Sequence, residues 1–148
     1  MLKVKYHYKW FVFFLFFLNS CKIAPFFEPK NDMIYNKLKL LPDSLLTTLS
    51  NTPSKIEVNL TNKTLTHYDS IEFFNYGNIT LNIQKYMSSC DCVQVHFSKF
   101  KVLPRDSFKL YYEIDKSKLK TGKNKRNIVF LGNFKEFAKE IELMINLK

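Results

Sequence analysis

Residues 107–114 read Ser107-Phe108-Lys109-Leu110-Tyr111-Tyr112-Glu113-Ile114. Phe108, Leu110, Tyr112 and Ile114 fall on every second position, so they share one face of an extended chain and leave Lys109 and Glu113 on the other. One buried and one wet face is the mark of an antiparallel sheet. The same beat runs outward in both directions. Ile56, Val58 and Leu60 alternate with Glu57, Asn59 and Thr61; Ile71 and Phe73 follow, then Leu81 and Ile83. Val93, Val95 and Phe97 precede the quoted stretch, Ile128 and Phe130 come after it as a short strand, and Ile141, Leu143, Ile145 and Leu147 close the chain. Turn signals separate these runs: Asn75-Tyr76-Gly77-Asn78, Pro104-Arg105-Asp106-Ser107, a basic loop around Gly122, and Gly132-Asn133. About seven short strands over residues 55–148 predict one all-β domain, an antiparallel β-sandwich of two sheets.

The start of the chain reads as an address. Lys3, Lys5 and Lys9 precede the unbroken apolar stretch Trp10 to Leu18. Roughly 20 apolar residues are needed to cross a bilayer, so this run is expected to be the core of a signal peptide over residues 1–20. It ends in Leu18-Asn19-Ser20-Cys21, which resembles the bacterial lipobox. The resemblance implies that Cys21 receives a diacylglycerol and becomes the first mature residue, carrying two or three acyl chains of the palmitate kind. That number of chains gives stable anchoring, whereas one gives only marginal binding. Lys22-Ile23-Ala24-Pro25 lacks an acidic run, which favours a periplasm-facing anchor.

Residues 21–54 are expected to be the lipid-anchored tether. Pro25 and Pro29 interrupt its first part, although Phe26, Phe27, Met33 and Ile34 offer apolar surface for docking. After Pro42-Asp43-Ser44, Leu45, Leu46 and Leu49 sit at helical spacing, so a short helix is expected there with Asp43 or Ser44 as its cap.

Composition bounds the function. The net charge is +10, and removing the three lysines of the signal segment leaves 20 basic residues against 13 acidic ones. Such a balance favours anionic surfaces, but a solvated lysine-rich surface is the simpler use of it, and no nucleic-acid partner is expected. Only three glycines are present, which argues against a phosphate-cradling loop. There is no G-x-S-x-G elbow, and beyond the signal segment only His67 and His96 remain for a triad. The chain is therefore expected not to be an enzyme, and no cofactor is implied.

The run Ile71-Glu72-Phe73-Phe74-Asn75-Tyr76-Gly77-Asn78, with Leu81-Asn82-Ile83 and then Ser89-Cys90-Asp91-Cys92, resembles the bacterial domain of unknown function 1573 family. That family carries F-x-F-x-N-x-G-x-x-x-L-x-I followed by T-S-C-G-C-T and a proline-led turn. The resemblance covers about residues 55–148 and implies an immunoglobulin-like sandwich, often on a lipoprotein, with no activity to carry over. Asp91 replaces the family's glycine between the cysteines, Val93 its threonine, and Arg105 the glycine after Pro104.

Cys90 and Cys92 are the candidate motif residues. In a regular strand they would share a face with Gln94 and His96, but His96 would then lie roughly 13 Å from Cys90, too far for one tetrahedral ion without a bend. Their Cα atoms would be about 6.6 Å apart, near the upper limit for a disulfide. Packing as small hydrophobes, a disulfide or redox pair, and a metal site all remain open. The leading expectation is a non-enzymatic binding or scaffolding module of the cell envelope, joined to the membrane through Cys21 and to an envelope protein through exposed sheet edges or loops. The rival is a redox- or metal-responsive site on Cys90 and Cys92.

Overall fold

Eight strands pack as two sheets in a computed structural model that describes residues 29–50, 53–61 and 64–148. The signal segment, Cys21, Phe26 and Phe27 lie outside the described residues. Strands β1 (Lys55–Leu60), β3 (Leu81–Ser88), β5 (Lys101–Val102), β7 (Gly122–Gly132) and β8 (Ala138–Leu147) form a five-stranded sheet in the order β1-β8-β7-β3-β5. Strands β2 (Thr66–Phe74), β4 (Val93–Phe97) and β6 (Ser107–Asp115) form a three-stranded sheet in the order β2-β6-β4. The expected all-β sandwich is borne out, and the eighth strand is the two-residue β5.

The alternating positions meet between the sheets. Ile71 and Phe73 of β2 and Phe108, Leu110 and Ile114 of β6 face Ile83 of β3, Ile128 and Phe130 of β7 and Ile141, Leu143 and Ile145 of β8, all buried. Phe73 stacks on Phe108 with centroids 5.1 Å apart, and Phe130 meets the Phe73 ring edge-on at 5.3 Å. Such offset and edge contacts add to the area that the rings bury.

Three expectations need correction. The sandwich is not purely antiparallel: β1 runs parallel to β8, from Lys55 opposite Glu142 to Leu60 opposite Leu147. β1 leads into β2 of the other sheet, so no hairpin dictates its direction beside β8. The basic stretch at Gly122 is no loop but the first half of β7, paired with β8 from Gly122–Leu147 to Leu131–Ala138. The ladder supplied by β8 overrides its polar local composition. Residues 45–49 form no helix. A single 3-10 turn, Asp43–Leu45, is followed by extended chain in which Thr47 bridges Phe134 and Leu49 bridges Asn75. Backbone partners are available there: Thr47 N–H donates to Asn133 O at 2.9 Å and Ser50 N–H to Phe74 O at 2.9 Å. A helix of so few residues is marginal, and β-branched Thr47 and Thr48 favour the extended form.

The helix that does form is α1 (Met33–Leu38), capped by Asp32, whose Oδ1 accepts from Ile34 N–H at 2.8 Å. It packs Ile34, Tyr35 and the fully buried Leu38 against Val129 and Leu131 on the outer face of β7. Thus Ile128 to Leu131 are buried on both faces of their strand. Met33, an expected docking residue, remains exposed.

Two asparagines stitch residues 45–49 onto the sandwich. Asn75 is fully buried and its amide donates to the carbonyls of Ile79, Val102 and Leu103 at 2.9, 3.1 and 3.2 Å. Its Oδ1 accepts from the Thr47 hydroxyl and from Gly77 N–H at 3.2 Å. A Cβ on Gly77 would lie 2.0 Å from Thr47 Oγ1, so glycine there is a matter of space. Asn133 donates to the carbonyls of Leu45 and Thr80, both at 3.0 Å.

Replacing Asn75 with alanine removes the side-chain donor to the Ile79 and Val102 carbonyls and the acceptor of Thr47 and Gly77, and is expected to cost about 3 kcal/mol in urea unfolding. Leu38→Ala is expected to cost about 2–3 kcal/mol. The Lys85 ammonium bonded to the Asp32 carboxylate holds it below its ordinary value. A depressed folded value contributes stability that is present above pH about 4 and is lost as pH falls below it. Hydrogen exchange of the Leu38 and Lys39 amides should accordingly speed up on acidification well before that of Leu110.

Candidate functional site

The outer face of the three-stranded sheet carries the side chains that the core does not take. Strand register sets them in rows. Ser70, Tyr111 and His96 lie side by side across β2, β6 and β4, and Tyr68, Glu113 and Gln94 form the next row. With Asp69, Val95 and Tyr112 they line a shallow concavity of about 570 Å³. Tyr68 is 70% and Tyr111 44% exposed, large values for aromatic rings on a sheet face. His96 lies over the Tyr111 ring, centroids 6.4 Å apart. Tyr112 points inward, yet its hydroxyl donates to Asp69 Oδ2 at 3.1 Å. Burial and then the Asp69 carboxylate push the Tyr112 phenol above its ordinary value, so it stays a neutral donor.

Among the described residues no lysine or arginine lines this concavity, although the chain is strongly basic. Two carboxylates, an imidazole, an amide, a hydroxyl and aromatic faces can accept from and stack on a partner. They offer a phosphate hydrogen-bond donors but no lysine or arginine cation.

The cysteines lie elsewhere, in the turn between β3 and β4 rather than in a strand. The turn brings their Cα atoms to 5.2 Å and they form a disulfide. Cys92 is buried while Cys90 is half-buried. Arg126 of β7 donates from Nε to Cys92 Sγ at 3.1 Å. Asp91 is exposed and pairs with Lys118 at 3.1 Å, so the residue replacing the family's glycine points to solvent. His96 is on the outer face of β4, away from the inward-packed Cys92, and His67 is on β2; neither joins the cysteines. Among the described residues no group of three or more His, Cys, Asp or Glu is gathered for a metal ion.

Nothing along the chain groups Tyr111 with Tyr68 or His96. Tyr68, His96 and Tyr111 are far apart in the chain, and only the β2-β6-β4 register makes them neighbours. Arg126 was likewise hidden in a stretch that read as a loop. The available signal was the aromatic residue at an outward position of the quoted strand.

No curated protein sequence matches the chain significantly. Among solved structures, a protein of unknown function from Porphyromonas gingivalis W83 superposes with a TM-score of 0.65 at 14% identity, covering 74% of this chain and 50% of that one. The chain thus spans half the length of that relative, and the likeness speaks to fold. The secreted serine protease VesC from Vibrio cholerae gives a TM-score of 0.47 at 9% identity, over 78% of this chain and 25% of that one. The YadV chaperone gives 0.46 at 13% identity, over 69% and 52%. These two likenesses are too weak to bear on function. The family described as "Protein of unknown function (DUF1573)" matches residues 49–147, the whole sandwich with the Asn75-Gly77 turn and the Cys90–Cys92 pair, and the chain belongs to that family.

Proposed function

We propose that this protein is a non-enzymatic binding module of the bacterial cell envelope, lipid-anchored through Cys21, that takes a protein partner on the outer face of β2-β6-β4. The observation that carries the reading is the concavity itself: exposed Tyr68, Tyr111 and His96 with Asp69 and Glu113, and no lysine or arginine among the described residues that line it, on a chain of net charge +10. Tyrosine is enriched where interfaces are strongest, because a rigid ring buries area at low entropic cost and keeps a polar tip. The carboxylates and the lack of basic lining favour a neutral or basic partner over an anionic one. The other sheet is less suited, since α1 covers the apolar outer face of β7. The anchor rests on the Leu18-Asn19-Ser20-Cys21 signature and the apolar run before it. A periplasm-facing position follows from the residues after Cys21.

Two experiments test the reading. Cells fed an alkyne-tagged palmitate should label the wild-type chain and not Cys21→Ser, and the variant should leave the membrane fraction. A photoreactive residue at Ser70 should cross-link an envelope protein in cells, whereas one at Lys123 on the other sheet should not. Tyr68→Ala with Tyr111→Ala should weaken that adduct at least tenfold with folding intact. Equal adducts from both positions, or an adduct indifferent to the tyrosines, would remove this face from the function.

A further inference from the structure

Arg126 occupies a place that the pattern of β7 reserves for the core. Asn124, Arg126, Ile128 and Phe130 share the inward face, and Arg126 lies opposite the buried Leu143 of β8. An inward cation ordinarily has a carboxylate partner, but Arg126 makes no ion pair among the described residues. Its contacts are Nε to Cys92 Sγ at 3.1 Å and Nη1 to the Lys125 carbonyl at 2.7 Å. The two carboxylates beside the cysteine turn, Asp91 and Asp115, are occupied by Lys118. Lys118 pairs with Asp91 at 3.1 Å and lies 3.9 Å from Asp115, all toward solvent. The half-buried guanidinium therefore faces a neutral sulfur, and the anion that would suit it is the thiolate formed when the disulfide opens.

The two sulfurs are also unequally placed. Cys92 is 2% exposed and packs in the core, whereas Cys90 is half-buried at the turn. An incoming thiolate reaches Cys90 Sγ first. The better leaving group in such an exchange is the thiol with the lower pKa, and a neighbouring arginine lowers a cysteine's pKa. Access and leaving-group stabilisation thus select the same direction.

We propose that Cys90–Cys92 is a thiol–disulfide exchange site whose co-reactant is a dithiol. One thiolate of the dithiol attacks Cys90 Sγ and forms a mixed disulfide; the Cys90–Cys92 bond breaks and its electron pair leaves on Cys92, held as a thiolate by Arg126. The second thiol of the dithiol, deprotonated, then attacks its own sulfur in the mixed disulfide. That step oxidises the dithiol to a disulfide and releases Cys90 as a thiolate, which takes a proton from solvent. Two electrons pass to the protein, and the reverse path reoxidises it. Arg126 is a positioning residue, since it acts through the Cys92 sulfur. The proposal stands independently of the binding role assigned to the outer face.

The test uses the full-length protein in detergent with dithiothreitol and glutathione as probes. Reduction by dithiothreitol should be about tenfold slower in Arg126→Gln than in wild type, and Arg126→Lys, which keeps the cation, should recover most of the rate. In the reduced protein the Cys92 thiolate, followed by its ultraviolet absorbance, should form at lower pH in wild type than in Arg126→Gln. Acid-quenched mixtures of the wild-type protein with glutathione, mapped by mass spectrometry, should carry the adduct on Cys90; this arm needs no variant to fold. An adduct on Cys92, or equal reduction rates in wild type and a folded Arg126→Gln, would overturn the proposal.

Discussion

The buried amide of Asn75 is the constraint on which the rest of the sandwich depends. At the end of β2 the chain must turn, and there the carbonyls of Ile79, Val102 and Leu103 accept from the Asn75 amide, that of Leu103 sharing it with Asp106 N–H. A buried carbonyl without a donor costs about 1–3 kcal/mol. One asparagine side chain serves all three, with its oxygen taken by Thr47 and Gly77. No other side chain of that size presents two donors beside an acceptor. Gly77 then clears the space that lets residues 47 and 48 pass, and those residues bond on to Asn133 and Tyr76. The turn therefore joins both sheets and the entering chain in one polar network within an aromatic core.

This closure makes the two outer faces unequal. The five-stranded sheet carries Val129 and Leu131 outward, and the entering chain supplies α1 to cover them. Among the described residues the three-stranded sheet has no such cover, and its outward positions are polar or aromatic instead of aliphatic. A sheet face free of the need for cover is free to hold a partner. The same asymmetry leaves the β3–β4 connection at the end of the molecule, where a disulfide shortens it between a core on one side and solvent on the other.

Much of the fold was legible along the chain because alternation is a local property. Phe108, Leu110, Tyr112 and Ile114 identify their strand without help, as do Ile141, Leu143, Ile145 and Leu147. Asn75 and Gly77 were legible as a turn, though not as a hub. Other elements were not legible because their partners decide them. The Gly122–Arg126 stretch is a strand only because β8 runs beside it, and residues 45–49 are extended only because Asn133, Phe74 and Asn75 offer backbone partners. Cys90 and Cys92 looked too far apart for an easy bridge under strand geometry; the turn shortens the span to 5.2 Å.

By itself, then, the sequence determined the β-sandwich, the rhythm of its core and the cysteine pair, because each is written in spacings of two residues. The direction of β1, the docking of α1, the gathering of Tyr68, His96 and Tyr111, and the contact of Arg126 with Cys92 were decided only by the tertiary structure. Each depends on which strand lies beside which, and that is settled by the global closure of the core rather than by any local stretch of chain.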